Sequence, residues 1–164
     1  QRLINMMEKN YIQLLIQSLE KKMTVLDHII SLNDQQKELL SKDEVDLDEW
    51  NVIIEEKAKD ISQINFLDEG FEEVYNRVKE MLLEHRESYT QEIERLQGLI
   101  GKITDRSVAV QAGEKRNKEL AQLQFGKIKQ KIRSVKQTNK AVQTYGNSMK
   151  KLNLIDAQFL DQKK

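Results

Sequence analysis

The sequence contains no cysteine and no proline, only six glycines, and aromatic side chains at 5% of its 164 residues. Without cysteine there is neither a disulfide framework nor a thiolate metal site, and a reducing compartment is permitted, so cytoplasm is the default expectation. Proline and glycine are the usual punctuation of helices and the usual material of tight turns. Their scarcity argues against a many-turned β or α/β fold and for a few long helices. No apolar run approaches the ~20 residues that span a bilayer. The opening Gln1-Arg2-Leu3-Ile4-Asn5 lacks the uncharged core of a signal peptide, and the missing initiating Met suggests a processed or trimmed chain.

What is present is charge, at 33% of residues, and apolar side chains at 38%. Those proportions alone would suit a disordered chain, but the apolar residues recur at helical spacing, which favours order. The net charge is zero, yet the signs are sorted. Residues 1–100 carry 22 acidic and 12 basic side chains, and residues 101–164 carry 5 and 15, so the two stretches are −10 and +10. Such asymmetry favours association, or packing of the chain back on itself, and is weakened by salt.

From Leu3 to Leu40 the apolar positions form a broad arc at 100° per residue. Ile4, Tyr11, Leu15, Leu19, Leu26, Ile29, Ile30 and Leu40 make one stripe, widened by Leu3, Met7, Leu14, Val25, Leu32 and Leu39. A two-stranded seam needs only a narrow stripe, so this helix is expected to touch two neighbours. Ser41-Lys42-Asp43-Glu44-Val45 breaks the pattern, and Asp46 with Glu49 three residues on reads as a capping box. A seven-residue repeat then runs through Leu47, Ile54, Ile61, Asp68, Tyr75, Leu82, Tyr89, Leu96, Ile103 and Val110, with Trp50, Ile64, Phe71 and Val78 as companions. This is coiled-coil patterning, with Asp68 the charged member of the first series. Glu84-His85-Arg86-Glu87 is the best turn because Ser88 and Gln91 offer a second capping box; Gly70 and Gly98-Leu99-Ile100-Gly101 compete.

The expected fold is therefore all-α: an antiparallel bundle of three long helices, about 1–41, 46–84 and 89–144, with coiled-coil-like packing and a C-terminal helical extension. Residues 1–144 would form one bundle and 145–164 a mobile tail. The third helix, running to about Tyr145, would reach roughly 80 Å against roughly 60 Å for its partners, so its last third should be uncovered. That stretch carries the apolar arc Leu120, Phe125, Ile128, Ile132, Val135 and Val142, flanked by Lys127, Lys129, Lys131, Arg133, Lys136 and Lys140. An apolar stripe without an internal partner needs an external one.

Chemistry is not found. A di-metal carboxylate bundle needs Glu-x-x-His on two helices, and neither His28 nor His85 has Glu three residues before it. GxxxxGK[ST] and GxGxxG are absent, and nothing marks a serine as activated. No cofactor, metal or catalytic residue is expected. The basic third helix is interrupted by Glu114 and Glu119 and carries no reading motif, so nucleic acid is not expected as a partner. Phe125 is its only large aromatic before Tyr145, which makes interfacial membrane anchoring weak. Trp50 and Phe71 lie in phase with the repeat and read as core.

The long first helix, the acidic connector Ser41-Lys42-Asp43-Glu44-Val45-Asp46-Leu47, a second helix with Glu55-Glu56-Lys57 and Leu67-Asp68, and a third with Glu114-Lys115-Arg116-Asn117 resemble the FlgN-type flagellar export chaperones. The resemblance implies a cytoplasmic bacterial chaperone without ATPase activity. It would bind hook-associated junction proteins by their terminal helical segment and deliver them to the type III export gate. It also implies that the C-terminal region takes the cargo, matching the uncovered arc, and that a tyrosine near the C-terminus followed by glycine docks to the gate. Tyr145-Gly146 is the nearest match, although the glycine follows directly and the tail is longer than usual in the family. The rival reading is a structural coiled coil in which the same arc is a homodimer seam.

Overall fold

The computed structural model describes residues 2–135 and 146–151. Three long helices, α1 (Arg2–Leu40), α2 (Leu47–Glu84) and α3 (Thr90–Val135), are packed antiparallel, and the described residues 146–151 are also helical. The all-helical, antiparallel expectation is borne out.

The first connector forms as its residues dictate. At the end of α1, Ser41 donates its N–H to the Lys37 carbonyl (3.1 Å) and its hydroxyl to Glu38 O (2.7 Å). Asp46 caps α2 as expected: its Oδ1 accepts from the N–H groups of Asp48 (2.9 Å) and Glu49 (3.3 Å). Asp48 and Glu49 also place negative charge against the positive end of the helix dipole.

The second turn falls at the expected residues with a different cap. Residues 85–89 form it, and the Tyr89 carbonyl accepts the first helical bond, from Ile93 N–H (2.9 Å), while Ser88 N–H bonds back to His85 O (3.0 Å). Tyr89, not Ser88, therefore stands at the N-cap. Its ring is buried and its hydroxyl donates to Glu8 of α1 (2.7 Å), so tertiary anchoring outweighs local capping here. Gly70, Gly98 and Gly101 lie within helices and do not break them.

The chain divides into two compact units, Gln1–Asp27 with Ser62–Ser107, and His28–Ile61 with Val108–Lys164. Each takes a segment from all three long helices. In the first, the pairs Glu8–Tyr89, Glu20–Arg95 and Asp27–Arg106 rise together in number, so α1 and α3 run parallel, and Lys22–Asp68 ties α1 to α2. Lys22 lies 2.7 Å from Asp68, which explains how a carboxylate sits in the repeat. The core comes from residues such as Ile12, Leu15, Ile64, Leu82 and Leu96. Leu3, Ile4, Met7 and Leu14, expected on or beside the buried stripe, are instead at least half exposed. In this unit the second neighbour of α1 covers less of its first turns than the width of the stripe suggested.

In the second unit, Gln36–Asn117 and Leu40–Gln124 again rise together, whereas Lys57–Glu114 and Trp50–Phe125 run in opposite sense. Hence α2 is antiparallel to α3. Ion pairs such as Arg95–Glu20, Arg106–Asp27 and Arg116–Asp34 join the basic third helix to carboxylates of the first, so part of the third helix's positive charge packs the chain back on itself. No described helix is long and apolar enough to cross a membrane.

Candidate functional site

The basic arc begins where α3 passes the end of α1. Gln124 Nε2 donates to the carbonyls of Leu40 (2.8 Å) and Lys42 (3.0 Å), closing the C-terminus of α1. Phe125 follows, and its placement corrects its reading as part of an uncovered face. It is buried and meets Trp50 edge-on, with ring centroids 5.5 Å apart at 87°. Trp50 is fully buried, and its indole Nε1–H has no hydrogen-bond partner among the described residues.

One and two turns further, Ile128 and Ile132 are half-buried. They sit at i+3 and i+7 from Phe125, on the same helix face. Residues 146–151 pack alongside. Together Phe125, Ile128, Ile132 and Met149 form the apolar lining of a cavity of about 480 Å³, with Lys129, Arg133 and Gly146 at its margin. No ion pair holds Lys129 or Arg133 among the described residues. Leu120 is half-buried one turn before the cavity and does not line it. Val135 belongs to the last described turn of α3, and Val142 and Tyr145 lie outside the described residues. Residues 146–151, assigned to the tail by sequence, are helical with Ser148 buried: its hydroxyl donates to Asn51 Oδ1 (3.2 Å), and Lys151 lies 3.8 Å from Glu55.

A second feature went unread. Lys57 is fully buried, with Nζ 2.5 Å from Glu114 Oε1 and 3.1 Å from Gln36 Oε1. Asn117 donates to Gln36 Oε1 (3.1 Å) and to the Asn33 carbonyl (2.8 Å). The result is a buried polar layer contributed by all three helices. The Asn33 side-chain amide has no partner among the described residues and rests against Gly113, where a Cβ would come within 3.0 Å of Asn33 Nδ2. Lys57 and Glu114 come from two of the segments that carried the family resemblance. Nearby, His28 Nδ1 contacts Asp60 Oδ2 at 2.5 Å. Burial raises the Asp60 carboxyl above its usual value, the His28 hydrogen bond opposes this, and Glu56 adds to it. Among the described residues no group of His, Asp and Glu could hold a metal ion.

These features define an all-helical protein of long packed helices, with a buried polar layer drawn from all three and an apolar cavity whose lining includes Lys129 and Arg133. The chain belongs to the FlgN protein family, whose match covers residues 6–152. It is thus a flagellar export chaperone for hook-associated proteins, and not an enzyme. No curated protein and no solved structure matches it significantly.

Proposed function

We propose that this chaperone works in the cytoplasm, holds the helical terminal segment of a hook-associated protein against Phe125, Ile128, Ile132 and Met149, and carries it to the export gate. The observation that supports this is the cavity itself: apolar side chains at i, i+3 and i+7 of one helix, edged by Lys129 and Arg133. That spacing is how one helix reads the apolar face of another, and the two cations would orient an acidic flank of the cargo. Burying a whole side chain of this size contributes ~1.5–3 kcal/mol. Because Ile128, Ile132 and Met149 are already half covered, each has about half of that left to give, about 2–4.5 kcal/mol together, which is short of the ~8 kcal/mol of a micromolar complex, so a stable complex needs contacts beyond this row. Leu120, Val135 and Val142 would extend the contact. Docking to the gate through Tyr145 is supported by the resemblance at Tyr145-Gly146.

The test is Ile128→Asp with Ile132→Asp, which should abolish binding of a hook-associated protein's terminal peptide while helical circular dichroism is nearly unchanged. Intact binding by this variant would sink the reading. Self-association is favoured by a separate observation: Leu3, Met7 and Leu14 are exposed at intervals of four and seven on α1, a seam spacing. Light scattering with and without peptide separates the two, since a tight dimer indifferent to peptide points to a scaffold.

A further inference from the structure

We propose that the acidic groove between α1 and α2 is a docking site for a second copy of this chain, which inserts the exposed ridge Leu123, Lys127 and Lys131 of its α3, and that the exchange is reciprocal and gives a weak, salt-sensitive dimer.

The groove lies where the last turns of α1 meet the first turns of α2. Leu39, Val52 and Ile53 give it an apolar floor, Glu38, Asp48 and Glu49 supply carboxylates, and its volume is about 520 Å³. Val52 is 55% exposed there. Lys42, also in the lining, offsets one of the three charges. Residues 37–49 as a whole carry six acidic and two basic side chains, so the field over the groove is negative.

On α3, residues 120–135 carry Lys127, Lys129, Lys131 and Arg133 and no acidic side chain. Leu123, Lys127 and Lys131 stand at i, i+4 and i+8, which is one ridge of a helix. Leu123 is 65% exposed, and both lysines are exposed. None of the three lines the cavity beside Phe125.

Charge complementarity names the occupant. Groove and ridge have opposite sign, and each sets an exposed apolar side chain among its charges. Neither is answered within the chain: among the described residues Glu38, Asp48, Glu49, Lys127 and Lys131 enter no ion pair. A second copy answers both. Its Leu123 lies on Val52, the lysine stems cover the rest of the floor, and the ammonium groups reach the carboxylates. Because each copy carries a groove and a ridge, one two-fold contact uses both twice. The surfaces are small, so a dissociation constant on the order of 10–100 µM is expected.

Sedimentation equilibrium of the full chain should show a dimer whose dissociation constant rises about fivefold or more between about 50 and about 500 mM NaCl. Lys127→Glu with Lys131→Glu should weaken it about tenfold or more, as should Glu38→Lys with Glu49→Lys, and Leu123→Ser should weaken it several-fold, each with the circular dichroism of the parent. The deciding measurement mixes the two charge-reversed proteins. Each has lost the match to its own kind, but the two suit one another, and an equimolar mixture should associate to within a few-fold of the parent. A parent that stays monomeric, a dimer unmoved by salt and by these substitutions (as a seam through Leu3, Met7 and Leu14 would give), or a mixture that stays monomeric overturns the proposal. It uses none of Phe125, Ile128, Ile132 and Met149, so the cargo reading and this one can fail separately.

Discussion

Lys57 of α2 and Glu114 of α3 form an ion pair of 2.5 Å with side chains 0% and 2% exposed. Desolvating two charges costs several kcal/mol, and their attraction together with the Gln36 contact offsets it only while both are present. Lys57→Met or Glu114→Leu alone should therefore destabilise the chain by about 3–5 kcal/mol, each leaving a charge without its counterpart. The double substitution should recover most of that loss, or exceed the parent. Urea midpoints for the four proteins decide it: additive losses would mean that the two residues do not act as a pair.

Much of the fold was legible because its information is local. The run to Leu40, the cap at Asp46 and the end at Glu84 follow from side-chain period and capping chemistry, and Asp46 and Glu84 stand where those rules put them. The polar layer was not read, although its signal was there. Lys57 falls seven residues after Trp50 and seven before Ile64, and Asn117 falls seven after Val110. Each looks like a gap in an apolar series until Glu114 and Gln36 arrive from other helices, and periodicity carries no information about such distant partners. The arc on α3 shows the same limit. Its residues announce an apolar face, but not that Trp50 covers Phe125 or that residues 146–151 lie beside Ile128 and Ile132.

Trp50 is the single tryptophan, and its contact with Phe125 links the core to the cavity wall. Cargo pressing on Phe125 should change the intensity or wavelength of Trp50 emission. The free chain should show the emission of a fully buried indole. Ile128→Asp with Ile132→Asp should keep that starting spectrum and lose the response to peptide. A peptide that binds with no change at Trp50 would place the cargo elsewhere.

The Tyr89 hydroxyl donates to the Glu8 carboxylate, which raises its pKa to about 12 from the usual 10.0, with burial adding to the effect. Only the protonated phenol can donate. The contribution to stability is therefore complete below pH 10 and is lost as pH rises towards 12. Tyr89→Phe should cost about 1.5–3 kcal/mol at neutral pH, the usual worth of a hydrogen bond to a charged group. The difference from the parent should shrink above pH 10. Phenolate absorbance titration checks the pKa directly, and a Tyr89 that titrates with the other tyrosines would show that the bond to Glu8 does not persist in solution.

Glycine offers the opposite test, a gain. Gly70, Gly98 and Gly101 lie inside helices, and a Cβ built on any of them meets nothing within 4 Å. Nothing in the folded chain needs a bare backbone there, while each glycine enlarges the conformational freedom lost on folding. Replacement by alanine should stabilise by roughly 0.5–1 kcal/mol per site. Gly113 differs because its Cβ would come within 3.0 Å of Asn33 Nδ2, in a layer where that amide has no spare room. Gly113→Ala should gain less than the other three or lose stability, by displacing Asn33. Thermal midpoints of the four single variants test the contrast, and an equal gain at Gly113 would show that Asn33 yields freely and that the polar layer is less tightly packed than its contacts imply.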